Sequence, residues 1–151
     1  MRNKHVRARV IAAVLVLVAF TATNIARTAN GGDSSSDYTA LRRAALDGED
    51  IRMVLDLSAC TAGQSDKPGP AVSGTLRFDA YMIQGGQTIA FATTHFTLRS
   101  DATPVYEFLA FRVYPTGEVD ARTRFLNATT FAVMQDSTFK CSIGRGVTFH
   151  W

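Results

Sequence analysis

Acidic side chains are missing from the first 29 residues, and no apolar run in the chain is long enough for a confident membrane span. The longest run, Val10 to Phe20, covers eleven residues, whereas a spanning helix needs roughly 20. Histidine is scarce: three residues lie scattered along the chain. Neither C-x-x-C nor H-E-x-x-H occurs, so the usual zinc-ligand spacings are absent, and no metal or other cofactor is expected. A G-x-S-x-G elbow and a glycine-rich phosphate loop are also missing, which removes the most recognisable hydrolase and nucleotide-binding chemistries. No internal repeat is visible.

What is present at the start is an address. Arg2, Lys4, Arg7 and Arg9 precede the apolar run, and a basic head before a short hydrophobic stretch is the pattern of a secretory signal peptide. Residues 1–29 are read as that peptide, cleaved near Ala26 to Ala29, with an uncleaved anchor as the alternative. Residues 30–36 (Asn-Gly-Gly-Asp-Ser-Ser-Ser) read as a flexible tether, and residues 37–151 as a single β-rich domain. The whole chain carries 16 Lys+Arg against 13 Asp+Glu, and five of the cations lie in residues 1–29, so the remainder holds 11 against 13. The pI near 9.1 therefore belongs to the leader, and nucleic acid is not an expected partner. No integral membrane span is expected in the mature form.

An exported chain meets an oxidising compartment. Cys60 and Cys141, 81 positions apart, are expected to form a disulfide, the alternative being two buried free thiols.

Asp37 to Asp47 reads as a short helix. Tyr38, Leu41 and Ala45 form its apolar stripe with Leu46 close by, Ser36 or Asp37 caps the start, and Gly48 ends it. Period-two alternation dominates afterwards. Ile51 to Leu57 is one strand and Val72 to Met82 another. Gly85-Gly86 marks a hairpin. The strand from Ile89 carries apolar residues on odd positions first and on even ones (Phe96, Leu98) later, which predicts a bulge within residues 92–95. Further strands follow at Val105 to Val113, Val119 to Leu126, Phe131 to Met134, Phe139 to Ile143 and Val147 to Trp151, with Phe149 and Trp151 expected in the core. Asn127-Ala128-Thr129, though it matches a glycosylation acceptor, reads as a turn. The fold class is mainly β: an antiparallel meander of seven to eight strands forming a curled sheet or small barrel, with one N-terminal helix packed on it.

Several segments are together similar to the VirK family of small bacterial proteins. They are Leu41 to Gly48, Val54 to Cys60, Phe78 to Ile83, Ile89 to Thr97, Glu107 to Gly117 and Lys140 to Trp151. The resemblance spans roughly residues 38–151. It implies an exported protein of a Gram-negative bacterium, from a family named through virulence loci of plant-associated species. It implies no activity, ligand or catalytic residue.

Candidate functional residues come from the sequence itself. His95 sits at the expected bulge, with Asp79 and Glu107 on flanking strands, a set suited to acid–base work if the groups converge. Arg77, Arg112, Arg122 and Arg124, with Asp79 and Asp120, alternate with apolar or small residues. Such a row lines either a solvated face or an anion-binding groove. The leading expectation is a non-catalytic binding module for an unidentified protein or small-molecule ligand, related to host association only through the VirK likeness. The rivals are an enzyme centred on His95, Asp79 and Glu107, and a small outer-membrane-associated β protein suggested by the aromatic ending Phe149-His150-Trp151.

Overall fold

The computed structural model describes residues 34–63 and 65–151; the expected leader and the first part of the tether lie outside the described residues. The chain opens on helix α1 (Ser34–Asp47). Tyr38, Leu41, Ala44 and Ala45 recur at helical spacing and are all buried. Gly48 closes the helix at φ +76°, and its N–H donates to the Ala45 carbonyl, the left-handed stop that glycine favours. The helix begins at Ser34, earlier than expected, so Ser36 and Asp37 lie in its first turn instead of capping it. Asp37 there suits the positive end of the helix dipole. Leu46 is exposed. It lies about 100° of helical rotation past Ala45, on the solvent side.

The strands are β1 (Arg52–Asp56), β2 (Thr61–Ala62), β3 (Ser73–Arg77), β4 (Tyr81–Gln84), β5 (Thr88–Leu98), β6 (Pro104–Val113), β7 (Glu118–Asn127), β8 (Val133–Ile143) and β9 (Gly146–His150). Eight of them make one path in the order β3-β1-β9-β8-β7-β6-β5-β4, and the short β2 pairs β8 beside it. β4 to β8 form an antiparallel meander of sequence neighbours. The expected class, a curled and mostly β sheet with one helix, is the one observed. β3 and β4 stand at opposite ends of the path, yet only Phe78 to Ala80 separate them in sequence. The four residue steps from Arg77 to Tyr81 reach about 13–14 Å at most, so the sheet must curl until its two margins approach at that corner.

The corner corrects one sequence expectation. Val72 to Met82 is two strands, and the inward side changes across the break. Leu76 packs on the core before it, whereas Tyr81 does so after it, and Met82 is exposed. The expected bulge in β5 is also absent: β5 pairs β6 in unbroken register from Ile89↔Val113 to Leu98↔Pro104. The reason is that Phe96 and Leu98 never turn inward. They stay on the outer face, 58% and 60% exposed. The register shift lies instead between Phe125 and Leu126, opposite Gln135 and Val133. The two late strands expected at Phe131 to Met134 and Phe139 to Ile143 are one, β8. The hairpin at Gly85-Gly86 forms, with both glycines at positive φ. Asn127 Oδ1 accepts the N–H groups of Thr129 and Thr130, the turn read from the sequence.

The concave face holds the core. Ile89, Phe91, Phe111, Val113, Val119, Ala121, Met53 and Val147 meet the helix residues Leu41 and Ala45 there. Phe91 is central, its ring 4.8 Å from Phe78 and 5.6 Å from Phe149. Phe149 is buried as expected, but Trp151, one residue past β9, is exposed. Two tyrosines fasten the helix to the first hairpin: Tyr38 donates its hydroxyl to the Gln87 carbonyl, and Tyr81 donates to the Ala45 carbonyl.

Cys60 and Cys141 are bonded, with Cα atoms 4.5 Å apart. The bridge spans a place where both partner strands are irregular. One strand is interrupted by a 3₁₀ turn (Leu57–Ala59) between β1 and β2. The other is interrupted between β8 and β9, where Gly144 in the turn and Gly146 at the first position of β9 are both at positive φ. Closing a loop of this length stabilises by about 4–5 kcal/mol in the chain-entropy model.

Candidate functional site

Strand periodicity sorts the candidate residues onto two faces. On β5 and β6, odd positions point to the concave side and even positions to the convex side. His95 and Glu107 are register partners on the concave side, with His95 Nε2 at 3.0 Å from Glu107 Oε2. Asp79 does not join them. It is exposed at the β3–β4 corner and makes no hydrogen bond or ion pair among the described residues. The three-residue acid–base set is therefore not assembled. Arg77 is committed elsewhere: its Nε lies 2.9 Å from Asp50 Oδ1, while Arg52 takes Asp50 Oδ2 at 3.2 Å.

Arg112 stands on the convex face, in a ladder of three rows. The rows are Ala90–Arg112–Asp120–Lys140, Ala92–Ala110–Arg122–Thr138 and Thr94–Phe108–Arg124–Asp136. They hold four cations and two carboxylates, and both carboxylates are already satisfied. Lys140 Nζ sits 2.5 Å from Asp120 Oδ1, and the Tyr114 hydroxyl donates to Asp120 Oδ2 at 3.0 Å. Arg122 and Arg124 share Asp136, with Nη2 atoms at 2.5 and 2.6 Å from its Oδ2. The titration shifts follow from these contacts. The Arg122 and Arg124 hydrogen bonds hold the Asp136 carboxyl well below the usual carboxylate range. The Asp120 hydrogen bond raises Lys140. Burial, then Asp120, raises the Tyr114 phenol. Arg112 makes no hydrogen bond or ion pair among the described residues, so its guanidinium is available.

The rows floor a groove of about 440 Å³, whose lining includes Met82, Ala90, Ala92, Ala110, Arg112 and Arg122. A second hollow of about 280 Å³ shares Ala110 and Arg122 and continues to Phe108, Arg124 and Leu126. Small side chains at alternate positions of β5 and β6 leave the floor low, while Met82 and the arginines rise around it. An apolar-floored depression with guanidinium groups beside it is suited to anions carrying an apolar body. Sequence reasoning found Arg112, Arg122 and Arg124 but missed the alanines. The available signal was Ala90, Ala92 and Ala110 alternating with the buried Ile89, Phe91, Leu109 and Phe111.

No helix among the described residues is long and apolar enough to cross a membrane. As for a spanning barrel, charged residues run through the middle of the convex face, and among the described residues the path is not paired between β3 and β4. A lipid-spanning barrel needs a closed ladder and an apolar belt.

Comparison with known proteins fits this architecture. Residues 34–131 match the family model described as VirK protein. The chain is 33% identical over 143 residues to y4wH of Sinorhizobium fredii, itself described as uncharacterised, covering 93% of this chain and 95% of that protein. It is 34% identical over 103 residues to an uncharacterised Rhizobium radiobacter protein encoded in the pinF2 3′ region, covering 68% and 71%. The crystal structure of lpg1832, a VirK family protein from Legionella pneumophila, superposes with a TM-score of 0.68 at 22% identity, covering 76% of this chain and 95% of that one.

Proposed function

This chain belongs to the VirK family, and from that premise we propose that it works outside the cytoplasm as a non-catalytic interaction module serving host association. The leader-like first 29 residues and the Cys60–Cys141 bond support export. The observation that carries the binding reading is the convex groove with Arg112, unpaired among the described residues, at its side. A guanidinium that makes no ion pair with a carboxylate among the described residues, although Asp120 is its register neighbour on β7, favours an anionic group on a partner. The His95–Glu107 pair serves on this reading as a structural cross-strand contact at the far end of the concave face.

The test is purification of the exported protein from its own organism, in wild-type form and as Ala110→Trp, which fills the groove. A molecule retained by the wild type and lost from Ala110→Trp, with thermal stability unchanged, is the expected result. Identical co-purifying material from both forms would overturn the reading. The same preparation gives the mature N-terminus by mass spectrometry; a start near residues 27–30 is expected.

A further inference from the structure

The convex face continues beyond the groove, and its character changes along the strands. Past the row of Phe108 and Arg124 comes the row Phe96–Tyr106–Leu126–Val133, then Leu98–Pro104. Phe96, Leu98, Phe108 and Val133 are all at least 41% exposed. Phe131 stacks on Tyr106 with ring centroids 5.8 Å apart. It is 61% exposed and adopts φ +57°, a left-handed conformation costly for a bulky residue. Contiguous exposed apolar surface of this kind marks an interaction site.

The face is therefore polar at one end and apolar at the other. Arg112, Arg122 and Lys140 cluster at the first end, and the aromatic rows occupy the second. From Arg112 to Tyr106 is six residues along β6, about 20 Å at strand rise. The acyl chains of one membrane leaflet span about 15 Å, half of a hydrocarbon core of ~30 Å. A charged head with one such tail fits the strip in both length and polarity.

We propose that the convex face binds a single-tailed acyl carboxylate. Its head lies between Arg112 and Arg122, and its tail runs over Ala110, Phe108 and Tyr106. The inference rests on the groove being the binding site and names the ligand class for it. Charge selects the orientation: Arg112, Arg122 and Lys140 face the single carboxylate Asp120 at the head end, the Phe108 row between holds the paired Arg124 and Asp136 to one side, and the tail rows Phe96–Tyr106–Leu126–Val133 and Leu98–Pro104 carry no charge. A monomeric amphiphile, unlike a bilayer, takes up both ends of a strip that lies flat along one sheet face.

The test uses delipidated protein purified from its own host and the fluorescent polyene carboxylate cis-parinarate, below its micelle concentration. Saturable one-to-one binding is expected, displaced by hexadecanoate and not by its methyl ester or by acetate. Arg112→Gln should weaken it by about tenfold to a hundredfold, the cost of losing a charged hydrogen-bond partner, and Phe108→Asp should abolish it. Circular dichroism and melting of each variant guard against loss of fold. Absence of saturable binding, equal binding of the ester, or indifference to Arg112→Gln overturns the proposal. So does binding confined to anionic vesicles or to an acidic apolar peptide. If parinarate fails while Ala110→Trp still strips a native partner, the groove stands and the acyl ligand falls. If neither responds, both fall.

Discussion

Gly144 and Gly146 offer a matched pair for testing how the disulfide is accommodated. Both lie in the left-handed region, at φ +81° and +83°. A Cβ added at Gly144 meets nothing within 4 Å, whereas one at Gly146 comes within 2.5 Å of Cys60 Sγ, 3.3 Å of the Asp56 carbonyl oxygen and 3.4 Å of Cys141 Cβ. Gly144→Ala should thus incur only the conformational cost, about 1–2 kcal/mol. Gly146→Ala should add an overpacking cost of about 1–3 kcal/mol, because the sulfur it meets is pinned by its bond. At roughly 4 °C per kcal/mol for a domain of this size, the oxidised variants should melt about 4–8 °C and about 8–20 °C below the parent. Urea unfolding followed by far-UV circular dichroism measures both differences, as shifts in midpoint at constant slope. Reduction frees Cys60 Sγ to rotate, so the gap between the variants should narrow under dithiothreitol. Equal losses in the oxidised variants would refute the argument, since backbone conformation alone would then account for both.

Two more outcomes follow from the contacts. Tyr81→Phe removes the hydroxyl that holds the Ala45 carbonyl, so it should cost about 1 kcal/mol and raise hydrogen exchange across Ser34–Asp47 more than across β6 and β7. Asp136 is depressed below its unfolded value of 3.8 by Arg122 and Arg124. Its contribution to stability is then complete above that value and drains away as pH falls below it. Asp136→Asn should flatten the acid limb of a stability–pH curve below about pH 4, and since the pair is exposed, 1 M salt should shrink the effect; an unaltered limb would show that this pairing carries no weight.

The parts legible in the sequence were those set by local periodicity. Leu41 and Ala45 on a helical stripe, Met53 and Leu55 on a strand face, and Gly85-Gly86 at a hairpin each report on their own neighbourhood, and each is where it was expected. The errors arose where apolar residues were assumed to be buried. Phe96 and Leu98 suggested an inward switch and hence a bulge, and Trp151 suggested a core closure, yet all three are exposed. The Phe78–Ala80 corner escaped notice because it carries neither glycine nor proline; it is imposed by which strands must become neighbours, a non-local fact. The candidate site was half visible for the same reason. Arg112, Arg122 and Arg124 announce themselves by charge, but their grouping, and the departure of Arg77 to Asp50 and of Asp79 to the corner, depend on the sheet order.

That order has a consequence for how the molecule comes together. β9, the last strand in sequence, lies in the interior of the path between β1 and β8. The run from β4 to β8 can zip up between sequence neighbours, which is fast. The β1–β3 ribbon cannot dock until residues 146–150 are available to bridge it. A polypeptide threaded through a narrow passage with its N-terminus leading would therefore have its compact state withheld until nearly all of it had emerged. A fusion added after Trp151 would enter beside Arg52, the register neighbour of His150, where β9 has run past its two-residue pairing with β8.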